Sequence, residues 1–407
     1  MQRWLGAATG GLVAGLAALA VGLAPAAAAS GGQVLFRLHD PRLDELSGLA
    51  AGVVSPGVVY AQNDSGDSAR FFALNARSGD VVAVVHVPGA ANVDWEDLAV
   101  APDAAGTSSV WLADTGDNDR ARKDVQLYRV PEPRLSAAAH GLQVHSSAAQ
   151  VWRLRYPDGP HDTESLAVGP DGAAYLVTKS QSGTSEVFAV PRRSPARVAT
   201  LRRVGTIRFP ISGTPGPFGV PGELAATGAT MSRDGRWFVV RTYTDAYAWR
   251  VRGDDVAAAL RAAPTHVALP RQPQGEGICI DGTRLLLDSE GTGTPVLAVR
   301  ASFLRHVTAD AVAPSSSSGV APSSSGVRPR PSPSTPPDST SKGPGFVFLA
   351  VVVIAFALGG TVLSRRRGSR PGGGPGLGRR PRRRDQWPYT PYDPDDRGDG
   401  PDDDGNR

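Results

Sequence analysis

The sequence predicts an all-β protein, a β-propeller of five to six blades with a C-terminal single transmembrane helix. Three observations support this prediction. Residues 30–305 alternate short apolar runs with Gly, Pro, Asp and Ser turns, and helical periodicity is nearly confined to 254–262. A motif with acidic residues recurs through this stretch at intervals of tens of residues. A long uncharged apolar run stands apart, near the C-terminus.

The recurring motif opens a predicted strand in every copy. It reads DWEDLAV, DTESLAV and QGEGICI in its clearest copies, and ELSGLA and AATGAT in two looser ones. The equivalent positions are Ser47, Glu96, Glu164, Thr227 and Glu276, with spacings of 49, 68, 63 and 49. A strand-rich repeat of this length is typical of propeller blades, whereas a β-sandwich explains strands but not a repeated motif. The two long spacings leave room for a sixth blade.

Ring closure and packing follow from the same pattern. The last blade lacks an obvious fourth strand, and residues 34–38 form an unassigned strand at the other end of the chain. We expect these two to pair and close the ring.

Four tryptophans are expected to pack between blades: Trp95, Trp111, Trp237 and Trp249. Cys279 lies between two isoleucines and is expected to be a buried thiol.

The N-terminal segment 1–29 is predicted to be a signal peptide. One charge, Arg3, precedes an apolar run, and Ala27–Ala29 supply the small residues at which a signal peptidase cuts. A retained membrane helix is the alternative. The predicted propeller ectodomain then spans 30–310.

Residues 345–364 carry no charge and are long enough to cross a bilayer. Four arginines follow within six residues, so the positive-inside rule places the C-terminus in the cytoplasm. A buried core helix is the alternative. The preceding 311–344 is a Ser/Pro-rich stalk and 365–407 a basic, then acidic tail, both predicted to be disordered. The expected location is the cell membrane, single-pass, with the propeller outside.

The net charge of +4 does not indicate a nucleic-acid partner. The tail and Arg3 contribute all of it, so residues 30–344 hold 31 basic and 31 acidic side chains. A neutral ectodomain is not a polyanion binder by bulk charge. One cysteine excludes an intramolecular disulfide framework. The expected partners are the membrane and an unidentified extracellular ligand or protein, with no nucleic acid.

Polar residues are expected to converge at one mouth of the central channel. In a propeller the innermost strand begins where the second strand ends, so both sets of flanking residues meet there. A charged ligand would contact Lys179, Arg241, Asp114 and Glu290. Clustered oxygen atoms suit a hard cation such as Ca²⁺. The alternative for each carboxylate is a structural role, capping backbone N–H groups or forming turns.

The motifs ELSGLA, NDSGD, DWEDLA, ADTGDN, HDTESLAV and QGEGICI resemble secreted bacterial phytase-like or esterase-like β-propellers. More distantly they are similar to the calcium-dependent propellers of the regucalcin, gluconolactonase and paraoxonase group. The resemblance covers most of 36–300 and implies Ca²⁺ held by carboxylates and Asn at the channel. The predicted metal ligands are Asn63, Asp64, Glu96, Glu164 and Glu276. Ser47 and Thr227 replace a carboxylate at two repeat positions, a departure from a full ligand set.

Two functions follow from these expectations. The first is a membrane-anchored propeller that binds a ligand or protein at the bacterial cell surface. The second is a Ca²⁺-dependent hydrolase of phosphoesters, lactones or esters, with its site at the channel mouth. Its candidate catalytic residues are His161, Glu96 and Glu164. A loop histidine satisfied by its neighbours is the alternative for His161.

Overall fold

The computed structural model describes residues 31–306, apart from 104 and 195, and arranges them in five β-sheets. The chain enters through β1 (Gln33–Arg37) and then builds five sheets in succession, each with its innermost strand first. Blade 1 contains β2 (Leu46–Ala51), β3 (Val58–Asn63), β4 (Arg70–Asn75) and β5 (Val81–His86). Blade 2 contains β6 (Trp95–Pro102), β7 (Ser108–Asp114), β8 (Val125–Pro131) and, after the short β9 (Leu142–His145), β10 (Gln150–Arg155).

The second half of the chain repeats this order. Blade 3 contains β11 (Thr163–Val168), β12 (Ala174–Thr178), β13 (Thr184–Ala189) and, after β14 (Ala199–Thr200), β15 (Arg202–Arg208). Helix α1 (Val220–Leu224) precedes blade 4, which contains β16 (Ala226–Met231), β17 (Trp237–Thr242), β18 (Asp245–Arg250) and, after α2 (Val256–Ala259), β19 (Thr265–Ala268). Blade 5 contains β20 (Ile278–Asp281), β21 (Arg284–Leu287) and β22 (Pro295–Arg300), followed by a 3₁₀ turn at Ser302–His306.

The expected closure of the ring is confirmed. Strand β1 pairs antiparallel with β22 and supplies the outermost strand of blade 5, with Gln33 opposite Ala298. The innermost strands contact one another in sequence, β2 with β6, β6 with β11, β11 with β16, and β16 with β20, and β20 returns to β2. The described chain is therefore a closed, all-β, five-bladed propeller.

The room expected for a sixth blade is taken by additions to the other blades. Strand β9 lies in sequence between two strands of blade 2, but it pairs parallel with β5 and extends blade 1. Strand β14 lies within the blade 3 segment and pairs parallel with β10 of blade 2. Residues 210–225 form the α1 connection to blade 4. Covering an exposed strand edge in this way blunts edge-to-edge pairing with other chains.

Five apolar clusters hold the blades together, one between each pair of neighbours. Strand β4 shows how one strand serves two of them. Phe71 packs toward blade 2 and Phe72 toward blade 5, because successive side chains in a strand point to opposite faces. Both faces of each central strand are buried, and this explains the continuous apolar runs in the sequence.

The tryptophans and the cysteine lie where the sequence predicted. Trp95, Trp111, Trp237 and Trp249 are each buried in an interblade cluster. Cys279 is buried between blades 5 and 1, and burial raises the pKa of its thiol. The short helical segment is α2, whose N-cap Asp255 accepts the N–H of Ala258.

Among the described residues, no helix has the length and apolar character needed to cross a membrane. The predicted signal peptide, stalk, transmembrane helix and tail (1–29, 311–344, 345–364 and 365–407) lie outside the described residues. These assignments remain predictions from the sequence.

The closing strand offers a direct test of the ring. Phe36 of β1 is 4% exposed and packs in the cluster between blades 5 and 1, whereas Val34 on the same strand is 46% exposed. Phe36→Ala should lower the free energy of unfolding by about 3–5 kcal/mol. Val34→Ala is the matched control and should stay within about 0.5 kcal/mol of the parent protein. Urea unfolding checks both values, and equal effects of the two substitutions would contradict closure through β1.

Candidate metal centre at the channel mouth

A β-bulge recurs at the start of the innermost strand in four blades. Its register skips one residue, and the skipped residues are Ser47, Glu96, Glu164 and Thr227. These are the equivalent positions of the sequence repeat, and Glu276 occupies the same place just before β20. A bulged residue is left out of the ladder and its side chain is re-aimed. The repeat thus encodes a backbone irregularity that turns one side chain per blade toward the channel mouth.

Five carboxylates meet at this mouth, and we call them the mouth cluster: Asp64, Asp94, Glu96, Asp162 and Glu164. They form two groups that share Glu96, and within each group the carboxylate oxygens lie within 4.8 Å of one another. They come from blades 1, 2 and 3, so the cluster exists only in the folded ring. The hydroxyl of Ser47 donates to Glu96 at 3.4 Å.

Gly116 lies directly against this cluster. A Cβ at this position would overlap Glu96 Oε1 and lie 2.6 Å from Asp94 Oδ2. Only glycine lets the loop after β7 approach the two carboxylates so closely. The loop is fixed by the N–H of Gly116, which donates to the carbonyl of Asp94 at 3.2 Å.

The cluster creates a strongly negative field inside a buried site. The pKa of Glu96 is raised well above its usual range, chiefly by burial and then by the charges of Glu164, Asp64, Asp94 and Asp162. Lys179 offsets part of this field, since its Nζ lies 2.6 Å from Glu164 Oε1. Burial alone would lower the pKa of Lys179, but the surrounding carboxylates raise it well above its usual value.

The two predicted ligand-binding cations, Lys179 and Arg241, are both buried. Lys179 lies 5.5 Å from the ring centroid of Tyr243. Arg241 is fully buried and donates to the carbonyl of Gly277 at 2.9 Å and to Gln272 at 3.2 Å. Burial lowers the pKa of Arg241. Its guanidinium therefore links blade 4 to the start of blade 5.

Three predicted metal or ligand residues have other neighbours. The charge of Glu276 acts on Lys179, Arg241 and Tyr243, which places it near both cations. The amide of Asn63 donates to Asp67 at 3.3 Å and lines a cavity of about 260 Å³ beside blade 1. Glu290 accepts from the amide of Gln274 at 2.5 Å.

Asp114 contacts the backbone of one member of the mouth cluster, Asp94. It is fully buried, accepts the N–H of Asp94 at 3.1 Å and forms an ion pair with Arg122 at 2.9 Å. Burial raises the pKa of Asp114 although Arg122 opposes the shift. Its contacts position Asp94 for the mouth cluster.

The structure separates His161 from the mouth cluster. The imidazole of His161 lies 2.9 Å from Asp158 and 4.0 Å from Glu186. Its ring packs against Tyr156 and Phe188. Adjacency in sequence to a mouth residue did not place this histidine at the mouth.

Sequence reasoning missed Asp97, the residue at the centre of the channel. Its carboxylate is fully buried and accepts the N–H groups of Leu98 at 2.8 Å, Leu166 at 2.8 Å and Ala229 at 3.2 Å. Burial raises the pKa of Asp97 well above its usual range. The residues that follow the bulge in the other blades are Gly48, Ser165, Gly228 and Gly277. The signal available in the sequence was that blade 2 has a carboxylate at a position where the other four blades have a small residue.

Comparisons with known proteins leave the family open. No family model matches the chain, and no curated protein matches it. Among solved structures, the PQQ-bound aldose sugar dehydrogenase from Streptomyces coelicolor aligns over 66% of this chain and 98% of its own, with 13% identity and a TM-score of 0.35. At that score the likeness supports no conclusion about this chain, and the fold described above rests on its strand pairing.

The raised pKa values predict how stability depends on pH. In the metal-free folded protein, burial raises the pKa of Asp288 to about 6, and Glu96 and Asp97 are also shifted upward. The folded state therefore holds protons that the unfolded chain has released above about pH 4. The free energy of unfolding should fall as the pH rises from there through the folded pKa values.

Urea unfolding in a chelator should thus give a higher unfolding free energy at about pH 5 than at about pH 8. Glu96→Gln, which mimics the protonated acid, should reduce this decline. Asp281→Asn, which alters an outer carboxylate paired with Arg284, is the control and should leave the slope unchanged. A stability that is flat or rises over this range would contradict the assignment.

Proposed function

We propose that this protein binds a ligand or protein at the bacterial cell surface through a Ca²⁺ ion held at the channel mouth. The observation that carries the proposal is the convergence of five carboxylates from three blades in two adjoining groups that share the buried Glu96. The membrane-anchored, extracellular setting is the one that the sequence predicts from its two long apolar segments, within 1–29 and at 345–364.

The donor set fits calcium. Ca²⁺ takes six to eight oxygen ligands in flexible geometry, and carboxylates provide one or two oxygens each. The mouth cluster supplies oxygen donors from Asp64, Asp94, Glu96, Asp162 and Glu164, and Ser47 adds a hydroxyl within reach of Glu96. No thiol or imidazole belongs to these two groups, so a soft or borderline metal has no preferred ligand there.

Electrostatics favours a cation at the same place. Burial, and after it the charges of four carboxylates, raise the pKa of Glu96, even though Lys179 is bound to Glu164. A dication among them would let all five ionise and would remove the repulsion. Metal binding should therefore release a proton from Glu96. Asp64 and Asp94 are only partly buried, so a ligand oxygen can complete the coordination shell from their side.

Gly116→Ala tests the metal site without removing any carboxylate. The new Cβ would occupy the space between Glu96 and Asp94, so Ca²⁺ affinity should fall by about tenfold or more. Gly31→Ala is the matched control, since nothing lies within 4 Å of a Cβ at that position. Calorimetric titration of the chelator-treated full chain with Ca²⁺ measures both, and the melting temperature should rise with Ca²⁺. Absence of binding and of a thermal shift would refute a calcium site.

A Ca²⁺-dependent hydrolase is the second candidate, and the place of Glu96 between the two carboxylate groups favours it. Once metal binding has released its proton, the Glu96 carboxylate could act as a general base toward water beside a metal that would polarise a substrate oxygen. Glu164 is held by Lys179 and is less available for proton transfer.

Turnover of phosphoester, lactone and aryl-ester substrates by the full chain with Ca²⁺ distinguishes the two functions. If the protein is a hydrolase, Glu96→Gln should lower kcat by about 10²–10⁴-fold while Asp281→Asn leaves it unchanged. Calcium binding without turnover of any of these substrate classes would leave the binding function and reject the hydrolase.

A further inference from the structure

Blade 3 carries a second group of metal-ligating side chains, which we call the blade 3 triad: Asp158, His161 and Glu186. One ligand atom from each lies within 4.8 Å of the other two. His161 Nε2 is 2.9 Å from Asp158 Oδ1 and 4.0 Å from Glu186 Oε2. None of the three belongs to the mouth cluster, although the sequence predicted His161 as a catalytic residue there.

These separations are close to those that a bound transition metal imposes. Two ligand atoms bonded to one ion at about 2.1 Å lie about 3.0 Å apart at right angles and about 3.4 Å apart in a tetrahedron. The observed distances of 2.9 and 4.0 Å bracket these values. Small rotations of the Glu186 and Asp158 side chains would complete the site.

The triad is already oriented by its surroundings. The imidazole of His161 packs edge-on against Tyr156, with ring centroids 4.9 Å apart, and beside Phe188 at 5.5 Å. Arg203 binds Glu186 Oε1 at 2.6 Å and so fixes the carboxylate. Metal-ligating groups that are held in this way need little ordering when the ion arrives.

The second oxygen of Glu186 points to a missing ligand. Glu186 Oε2 is shielded from solvent and makes no hydrogen bond within the described chain, although Oε1 is bound to Arg203. A shielded carboxylate oxygen that accepts no hydrogen bond is costly, and a cation between it and His161 would satisfy it. With Arg203 balancing one carboxylate, the triad keeps a negative charge that attracts a dication.

The chemistry of the donors differs from that of the mouth cluster. One imidazole nitrogen with two carboxylates suits a first-row transition dication, whereas calcium prefers oxygen ligands alone. Three protein ligands leave coordination positions open, and Asp158 is 43% exposed, so these positions face the solvent. We propose that Asp158, His161 and Glu186 form a transition-metal site that takes Zn²⁺ or a similar ion, independent of the calcium site.

Zinc titration of the full chain, with Ca²⁺ in excess to saturate the mouth, tests the proposal. The parent protein should bind one equivalent of Zn²⁺, and Co²⁺ in its place should give visible absorption bands. His161→Gln should weaken the binding by about tenfold or more. His145→Gln, at an exposed histidine stacked on His86 in blade 1, is the matched control and should leave it unchanged.

Asp158→Asn provides a second variant at an exposed position and should weaken Zn²⁺ binding in the same way. Gly116→Ala, which obstructs the mouth cluster, should not affect Zn²⁺ binding. Loss of the calcium site and loss of the zinc site can therefore be told apart. Circular dichroism confirms that each variant is folded. If the parent binds no Zn²⁺, or if His161→Gln and Asp158→Asn bind as the parent does, the triad is an ion-pair group only and the proposal is overturned.

Discussion

The structure depends on how closely five innermost strands can approach one another, and Asp97 makes that approach possible. Its carboxylate accepts N–H groups from the innermost strands of three blades at the channel centre. On that side of each innermost strand there is no further strand to accept these hydrogen bonds. The facing positions must be small. A Cβ at Gly48 would lie 3.0 Å from the Cα of Asp97, and one at Gly277 would lie 2.9 Å from the N–H nitrogen of Leu49. One acid and four small residues therefore set the width of the ring.

The mouth cluster is a consequence of this narrow ring. Because the strands are so close, the bulged residue that precedes this position in each blade lies within a few ångströms of the bulged residues of adjacent blades. In blades 2 and 3 that residue is glutamate, and the aspartate two positions before it joins the group. In blades 1 and 4 it is Ser47 or Thr227, whose hydroxyls bind Glu96 and the carbonyl of Gly275. The acidic groups of the mouth cluster are thus supplied by blades 1 to 3, and Lys179 pairs with one of them, Glu164.

Much of the fold could be predicted from the sequence because the period of the repeat is a property of the chain itself. The innermost strands, the closing strand and the tryptophan positions all follow from alternation and spacing. The number of blades could not be predicted, because β9 and β14 lengthen the spacing between repeats as an extra blade would. In the fold each joins the preceding blade instead. Side-chain direction was harder still. His161 and Asp162 are adjacent, yet they contribute to two separate groups, and Asn63 and Asp64 likewise diverge. Asp97 looked like part of an acidic motif, and only the meeting of distant N–H groups reveals its role.

The central claim is that the mouth cluster is a calcium site, and a crystal structure of the full chain grown with Ca²⁺ tests it most directly. The account predicts one ion bound to Glu96 and to carboxylates from blades 1 and 3, with oxygen distances of about 2.3–2.6 Å. Density in which these carboxylates contact water, Ser47 and Lys179 alone, with no ion between them at saturating Ca²⁺, would contradict it.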